Sequence, residues 1–291
     1  MRTRMSGDTN KALKILTGAG IGSEDARFDI SVIFSYLGDD EKAFDEAIQK
    51  RASGMPVAYI IGTQAFYKEE YKVTSDVLIP RADTELLVES ALRSLDALSF
   101  AAGDVSLIPG KEISHTPRIL DLCTGTGCVG ISVYNSLIQK YPSAEAVISD
   151  ISDKALSVAR ENILTAAQDP GNIKAVRLDV MTGECEEDIG TFDVITANPP
   201  YINSKDMNEL PEDVKSHEPH LALEGGEDGL IFYPKIAKLA RKLLREGGVL
   251  LLEHGYDQGK TVPQTLVNTG FNNVKCLKDY GGNDRVTYGE I

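Results

Sequence analysis

"RILDLCTGTGCVG", residues 118–130, decides the fold: a short apolar run ends on an acid, and a glycine-rich turn then opens into a helix. The run is too short for a helix and reads as a buried strand, with helical pattern from about Gly127. Gly125 and Gly127 allow a close backbone approach, and the helix N-terminus offers unpaired N–H groups to an electronegative ligand group. A nicotinamide dinucleotide is one reading of such a turn. Here, however, Asp121 precedes the G-T-G-x-x-G spacing, where the dinucleotide fingerprint follows a bare apolar strand.

Outward from this stretch, strand and helix patterns alternate. "AEAVISD" (144–150) precedes a helix capped by Ser152, "IKAVRLDV" (173–180) an acidic loop, and "FDVITAN" (192–198) a long irregular stretch. A helix across "GLIFYPKIAKLARKLL", the strand "GVLLLEHG", one more helix, and the strands "NNVKCLKD" and "RVTYGE" complete the chain. Alternation of this kind implies an α/β fold, a mainly parallel sheet with helices on both faces.

The first 55 residues read differently. In "SEDARFDISVIFSYLG", Ala26, Ile30, Ile33 and Leu37 recur at helical spacing, with Ser23 as a cap and Gly38 as a stop; "DDEKAFDEAIQKRASG" repeats the design through Phe44 and Ile48 to Gly54. The expected organisation is a small helical domain over 1–55, a β-hairpin linker over 56–83 broken at the "GT" of residues 62–63, and a catalytic domain over 84–291. That domain opens with a helix through Leu87, Ala91 and Leu95 capped by Asp83 or Thr84.

Composition bounds the function. With 291 residues, 42% of them apolar, the chain has enough material for real cores. Its net charge of −14 repels phosphate backbones, so direct nucleic-acid binding is not expected. The cysteines at 123, 128, 185 and 276 form no C-x-x-C pair, which fits reduced thiols. No apolar run follows the basic N-terminus and none has the length of a membrane span, so the expectation is a cytoplasmic protein, a monomer, without membrane contact. His217 and His220 have the spacing of a metal pair but no third ligand to match, so no metal is expected.

Acids end three of the strands. Asp150 lies a little over 20 residues beyond the glycine-rich turn, where a carboxylate can accept both hydroxyls of a ribose, and Asp179 stands where it can accept an adenine amino proton. Taken singly, such acids are as often helix caps or solvated loop residues. Their coincidence with the turn is what favours a nucleoside-bearing cofactor at that sheet edge. The fourth strand ends in "NPPY" (198–201), and two successive prolines fix a rigid, non-helical turn there.

Together, "DLCTGTG", Asp150, Asp179 and "NPPY" resemble a class I S-adenosylmethionine-dependent methyltransferase acting on a planar nitrogen. "GMPVAYIIGTQAFY", "VLIPRADTELLVE", "EPHLALEGGEDGLIFY", "LLEHGYDQG" and "GGNDRV", in this order, narrow the resemblance to the HemK-type release factor glutamine methyltransferases over nearly the whole chain from about residue 10.

That resemblance implies a Rossmann-like seven-stranded methyltransferase sheet with a small N-terminal helical domain that docks the substrate. It implies methylation, with S-adenosyl-L-methionine, of the side-chain amide of the glutamine in the Gly-Gly-Gln motif of peptide chain release factors, with S-adenosyl-L-homocysteine as product. Cys123, Thr124, Gly125, Thr126 and Gly127 would line the cofactor, Asp150 would hold its ribose, and Asp179 with Val180 would flank its adenine. Asn198 would lie between cofactor and substrate, with Pro199, Pro200 and Tyr201 completing the substrate site.

The chemistry fits these residue types. An amide nitrogen is a poor nucleophile because its lone pair is delocalised, so it must be oriented more than deprotonated. The Asn198 side-chain oxygen and the Pro199 carbonyl would accept its two N–H bonds, and Tyr201 would pack over the amide plane. Alignment of this kind contributes up to about 7–11 kcal/mol in favourable systems. Arg81 and Glu85 read as a helix-start ion pair, and Glu218 and Glu253 as supporting residues.

Cys123 departs from the family, which usually has glycine there, and residues 99–117 make a longer connection than expected. The same turn also serves a ribosomal-protein glutamine methyltransferase and an adenine amino-methyltransferase of DNA or RNA. A non-catalytic nucleoside-binding module would need only the glycine-rich turn and Asp150.

Overall fold

The structure, a computed structural model, describes residues 2–96, 108–111 and 113–291. Much of the 99–117 connection therefore lies outside the described residues.

Three helices, α1 (Arg2–Gly18), α2 (Ser23–Leu37) and α3 (Glu41–Ala52), open the chain. They bury Leu16, Ile33 and Ile48 against one another, the i/i+3/i+4 residues that mark each apolar face. Asp40 caps α3 by accepting from the Ala43 N–H at 3.0 Å. Ser23 does not cap α2 as the sequence predicts: Gly22 holds that place and Ser23 is the first helical residue.

A short α4 (Val57–Ile61) then ends on Gly62 in the left-handed conformation. The hairpin of β1 (Thr63–Phe66) and β2 (Glu69–Lys72) follows, turning at Tyr67–Lys68. The "GT" break thus ends a helix instead of folding the hairpin. The hairpin is latched to the body: Glu69 accepts from Ser132 Oγ and Asn135 Nδ2, each at 3.0 Å, and the Asn162 carboxamide brackets the Lys72 backbone at 2.7 and 3.0 Å.

The body contains α5 (Glu85–Ser94), β3 (Arg118–Leu122), α6 (Cys128–Leu137), β4 (Glu145–Asp150), α7 (Asp153–Ala166), β5 (Ile173–Arg177) and β6 (Phe192–Ala197). After it come α8 (Glu212–His217), α9 (Tyr233–Leu243), β7 (Leu244–Glu253), α10 (Thr261–Thr269), β8 (Asn272–Lys278) and β9 (Asp284–Glu290). Seven strands form one sheet in the order β5-β4-β3-β6-β7-β9-β8. The first five are parallel and β9 runs antiparallel to both its neighbours, so the expected mainly parallel α/β sheet is present.

Strand alternation builds a core on each face. Leu120, Leu122, Ile195, Leu250 and Leu252 meet Tyr233, Ile236 and Leu266 from α9 and α10. Ile119, Ile148, Val194 and Leu251 meet residues of α5, α6 and α7 on the other side. From β3 the chain steps outward through β4 to β5, then returns to place β6 on the opposite side of β3. The strand order reverses between β3 and β6, and a crevice opens beyond their carboxyl ends, where α/β sheets bind ligands.

Candidate active site

Strand register assembles the site. Leu122 of β3 pairs with Ala197 of β6, which in turn pairs with Leu252 of β7, so Cys123, Asn198 and Glu253 are the next residues out on three adjacent strands. The glycine-rich turn, the "NPPY" turn and the acid of "LLEHG" therefore share one edge.

The first turn is wound through left-handed positions at Cys123 (φ 56°), Gly125 (φ 55°) and Gly127 (φ 85°). Asp121 pins it from beneath. One carboxylate oxygen accepts from Thr196 Oγ1 at 2.7 Å, the other from the Thr124 hydroxyl and from the Gly130 N–H at 3.2 Å. Burial pushes the Asp121 carboxyl up to about 6, and those donors pull against it. Gly130 itself allows α6 to lie against β4, since a Cβ there would run into Ile148.

A cavity of about 290 Å³ lies over this turn, the size of a small-molecule site. Cys123, Thr124, Gly125, Thr126, Asp150, Asp179, Val180 and Asn198, all sequence candidates, line it. Gly127 does not: it is the N-cap of α6, packed toward Ile131 and Ile148. A Cβ on Gly125 would meet nothing within 4 Å, so that backbone faces open space.

Asp150 accepts from the Gly125 N–H on one oxygen and the Ser152 N–H on the other, both at 3.0 Å. Asp179 does the same with the Met181 N–H at 2.8 Å and Thr182 Oγ1 at 3.1 Å. A carboxylate offers about four lone-pair sites, so each oxygen keeps one for a ligand hydroxyl or amino proton. Burial raises the pKa of Asp150, opposed by those N–H groups. These carboxylate acceptors, held by a rigid backbone, fit the hydroxyls and amino group of the nucleoside part of S-adenosylmethionine.

A second cavity of about 200 Å³ adjoins the first and is lined by Pro199, Tyr201 and Glu253. Asn198 borders both cavities, as do Leu78, Arg81 and Ala222, whereas Pro200 faces the first. The "NPPY" backbone is clamped from outside. Ile202 N donates to Leu223 O at 3.0 Å, Gly225 N donates to Ile202 O at 2.8 Å, and Gln258 Nε2 donates to Tyr201 O at 3.1 Å. Gly229 has to be glycine, because its φ is 73° and a Cβ would run into the Tyr201 carbonyl.

Several residues stand apart from their sequence reading. Arg81 pairs with buried Glu218, not with Glu85, whose carboxylate instead accepts from the Tyr67 N–H at 2.9 Å. Burial raises Glu218 and Arg81 lowers it. Neither Asp83 nor Thr84 caps α5 through its side chain; Thr84 borders the first cavity. His217 bonds through Nδ1 to Asp213 O at 3.2 Å, and among the described residues no group of three His, Cys, Asp or Glu is placed to hold a metal.

Glu253 carries more of the site than sequence showed. It is 2% exposed, and its Oε2 has no partner. Burial pushes its carboxyl up to about 7, opposed by Thr84, Arg285 and Asn198. The available signal was an acid ending an apolar strand, as at Asp150.

Residues 105–227 match the Methyltransferase small domain family. The release factor glutamine methyltransferase of Clostridium botulinum (strain Hall) is 36% identical over 249 residues, 85% of this chain and 80% of that protein. The bifunctional methyltransferase of Rickettsia felis is 38% identical over 259 residues, 84% of this chain but 47% of its own length, so the chain spans about half of that relative. Among solved structures, the hMettl16 catalytic domain in complex with the MAT2A 3'UTR hairpin 6 superposes with a TM-score of 0.54 at 13% identity, covering 88% of this chain and 82% of that one. That likeness shows the fold.

Proposed function

The chain belongs to the release factor glutamine methyltransferases, and on that premise we propose that it methylates the side-chain amide nitrogen of the glutamine in the Gly-Gly-Gln motif of a peptide chain release factor. S-adenosylmethionine would lie in the first cavity and supply an electrophilic methyl group there. The observation that carries this reading is the place of Asn198 at the junction of two cavities, one lined by the Asp150 and Asp179 carboxylates and one lined by Pro199 and Tyr201.

On this reading Asp150 accepts from the ribose hydroxyls, Asp179 from the adenine amino group, and Val180 packs beside the ring. Asn198 Oδ1 and the Pro199 carbonyl take the two N–H bonds of the substrate amide and so direct its lone pair toward the first cavity. Tyr201 covers the amide and keeps water out. The backbone clamp on residues 201–202 holds these acceptors in place before substrate arrives, so little reorganisation is left for the transition state. An amide nitrogen is strongly acidic once alkylated, so its proton leaves without a strong base.

The helices of residues 1–55 dock the factor, and Phe28 and Tyr36, large and exposed on α2, offer it an apolar face. Among the described residues no helix is long and apolar enough to cross a membrane. The enzyme acts as a monomer in the cytoplasm, where its substrate works.

The test is transfer of a labelled methyl group from S-adenosylmethionine to purified release factor, beside a Gln→Ala variant of the Gly-Gly-Gln motif, ribosomal protein and DNA. Label on the factor that vanishes in the variant supports the reading. Label on ribosomal protein or DNA instead overturns the substrate and keeps the chemistry.

A further inference from the structure

Three polar side chains from distant parts of the sequence meet where the two cavities adjoin, Thr84 bordering the first, Glu253 the second and Asn198 both. Asn198 Nδ2 donates to Thr84 Oγ1 at 3.4 Å, and the hydroxyl of Thr84 and the carboxamide of Asn198 both favour the ionised form of Glu253. Thr84 and Glu253 are 3% and 2% exposed, so neither can exchange these partners for bulk water.

The 3.4 Å contact from Asn198 Nδ2 to Thr84 Oγ1 gives the direction at one end, and an ionised Glu253 beside both groups would give it at the other. An ionised carboxylate only accepts, and a hydroxyl has one proton to give. When Thr84 gives that proton to Glu253, its oxygen is left to accept from Asn198. The end of the Asn198 carboxamide that meets Thr84 must then be the NH2, and the oxygen end is left for the cavity. We infer that Thr84 and Glu253 are positioning residues that hold the Asn198 carboxamide with its oxygen toward the substrate amide, an inference that rests on the function proposed above.

The reverse arrangement has a chemical consequence. A protonated Glu253 donates to Thr84, whose own proton then turns toward Asn198 and selects its oxygen. The NH2 of Asn198 would face the cavity, one donor against the NH2 of the substrate. Other charges facing Glu253 are Arg285, in bonds with Asp279 at 3.0 and 3.1 Å, and Asp83, which sits 3.4 Å from Arg285; Tyr201, Tyr233 and Cys128 are the neighbouring weak acids. Arg81, paired with Glu218, borders the same cavity. Burial lifts the Glu253 carboxyl into the range where an enzyme can be assayed on both sides of it.

The experiment measures kcat for methyl transfer to release factor between pH 5.5 and pH 9, about a unit and a half below and two units above the Glu253 transition, for the wild type, Glu253→Gln, Thr84→Val and Thr84→Ser. Calorimetric binding of S-adenosylhomocysteine and thermal melting accompany each variant. The expected wild-type kcat falls about tenfold per pH unit on the acid side. Glu253→Gln and Thr84→Val lower kcat by about 10²-fold, flatten that limb and leave cofactor affinity within about twofold, while Thr84→Ser, which keeps the hydroxyl, restores most of the rate. An active wild type beside a Glu253→Gln variant with the same kcat and the same acid limb overturns the positioning role alone. A wild type inactive on every release factor overturns it together with the function it rests on.

Discussion

Asp121 and Glu253 are both carboxylates buried in one sheet, near the carboxyl ends of β3 and β7, yet their surroundings treat them in opposite ways. Asp121 accepts from Thr124, Thr196 and Gly130 and ties a turn to two strands. Glu253 keeps an oxygen with no partner beside the second cavity. Burial raises both, to about 6 and about 7. A saturated buried acid contributes to structure, whereas a buried acid left short of donors is a cost to folding, and such costs persist where a site uses them. The glycine-rich turn is thus built to stay put, and the "NPPY" edge is built to receive something.

The largest effect expected from that contrast is on the open side. Asn198→Ala removes the one side-chain acceptor that, among the described residues, borders both cavities, and kcat should fall by about 10³-fold, the scale of losing a pre-organised hydrogen-bonding group. S-adenosylhomocysteine binding should change only a few-fold and the melting temperature hardly at all. Near-normal turnover would remove Asn198 from the mechanism and erase the functional half of the comparison.

On the saturated side the loss should appear as stability. Asp121→Asn replaces an acceptor of three hydrogen bonds by a group with two donors of its own and leaves buried donors facing donors. The expected cost is about 2–4 kcal/mol in denaturant unfolding, with weaker cofactor binding because the turn is no longer pinned. A variant as stable as wild type would show that the three bonds are incidental.

Glu253→Gln should move stability the other way while slowing the reaction. The folded carboxyl titrates near 7 and the unfolded one near 4.5, so between those values the native state holds a proton that the unfolded chain has lost. Stability of the wild type therefore falls as pH rises through this window and levels off above it. The full shift corresponds to about 3 kcal/mol, and an amide that never ionises should recover roughly 2 of it at pH 8, since its own donors are imperfectly met. Melting curves of both proteins at pH 5 and pH 8 check the sign. Equal gaps at the two pH values would mean that Glu253 titrates normally.

The sequence made the sheet legible because each strand announces itself locally, by a short apolar run with an acid or glycine at its end. The strand-end positions of Asp150, Asp179 and "NPPY" were readable for the same reason, and the register places them on one edge. Thr84 and Glu253 were not, because their meaning depends on which strands become neighbours. Thr84 looked like a helix cap and Glu253 like a supporting acid until β7 took its place beside β6. Arg81 was misread in the same way, paired with the nearest acid in sequence when its partner lies 137 residues on. Gly127 stands apart in the opposite sense: it is the left-handed N-cap of α6 and does not line the cavity.

Cys123 offers the smallest effect and the finest test of the turn as a fixed support. Its φ of 56° is left-handed, a region that costs a side chain about 1–2 kcal/mol and glycine nothing. Burial and the nearby Asp150, Asp121 and Asp179 hold its thiol well above the usual range, so it sits protonated as a small packed group and not as a nucleophile. Cys123→Gly should relieve the strain, while the greater freedom of glycine in the unfolded chain takes back about 0.5–1 kcal/mol. The net expectation is a gain below about 1 kcal/mol by denaturant unfolding, with cofactor affinity unchanged. A loss of more than about 1 kcal/mol would mean that sulfur packing against the core outweighs the backbone strain. The turn would then owe its shape to a side chain as well as to Asp121 and the glycines.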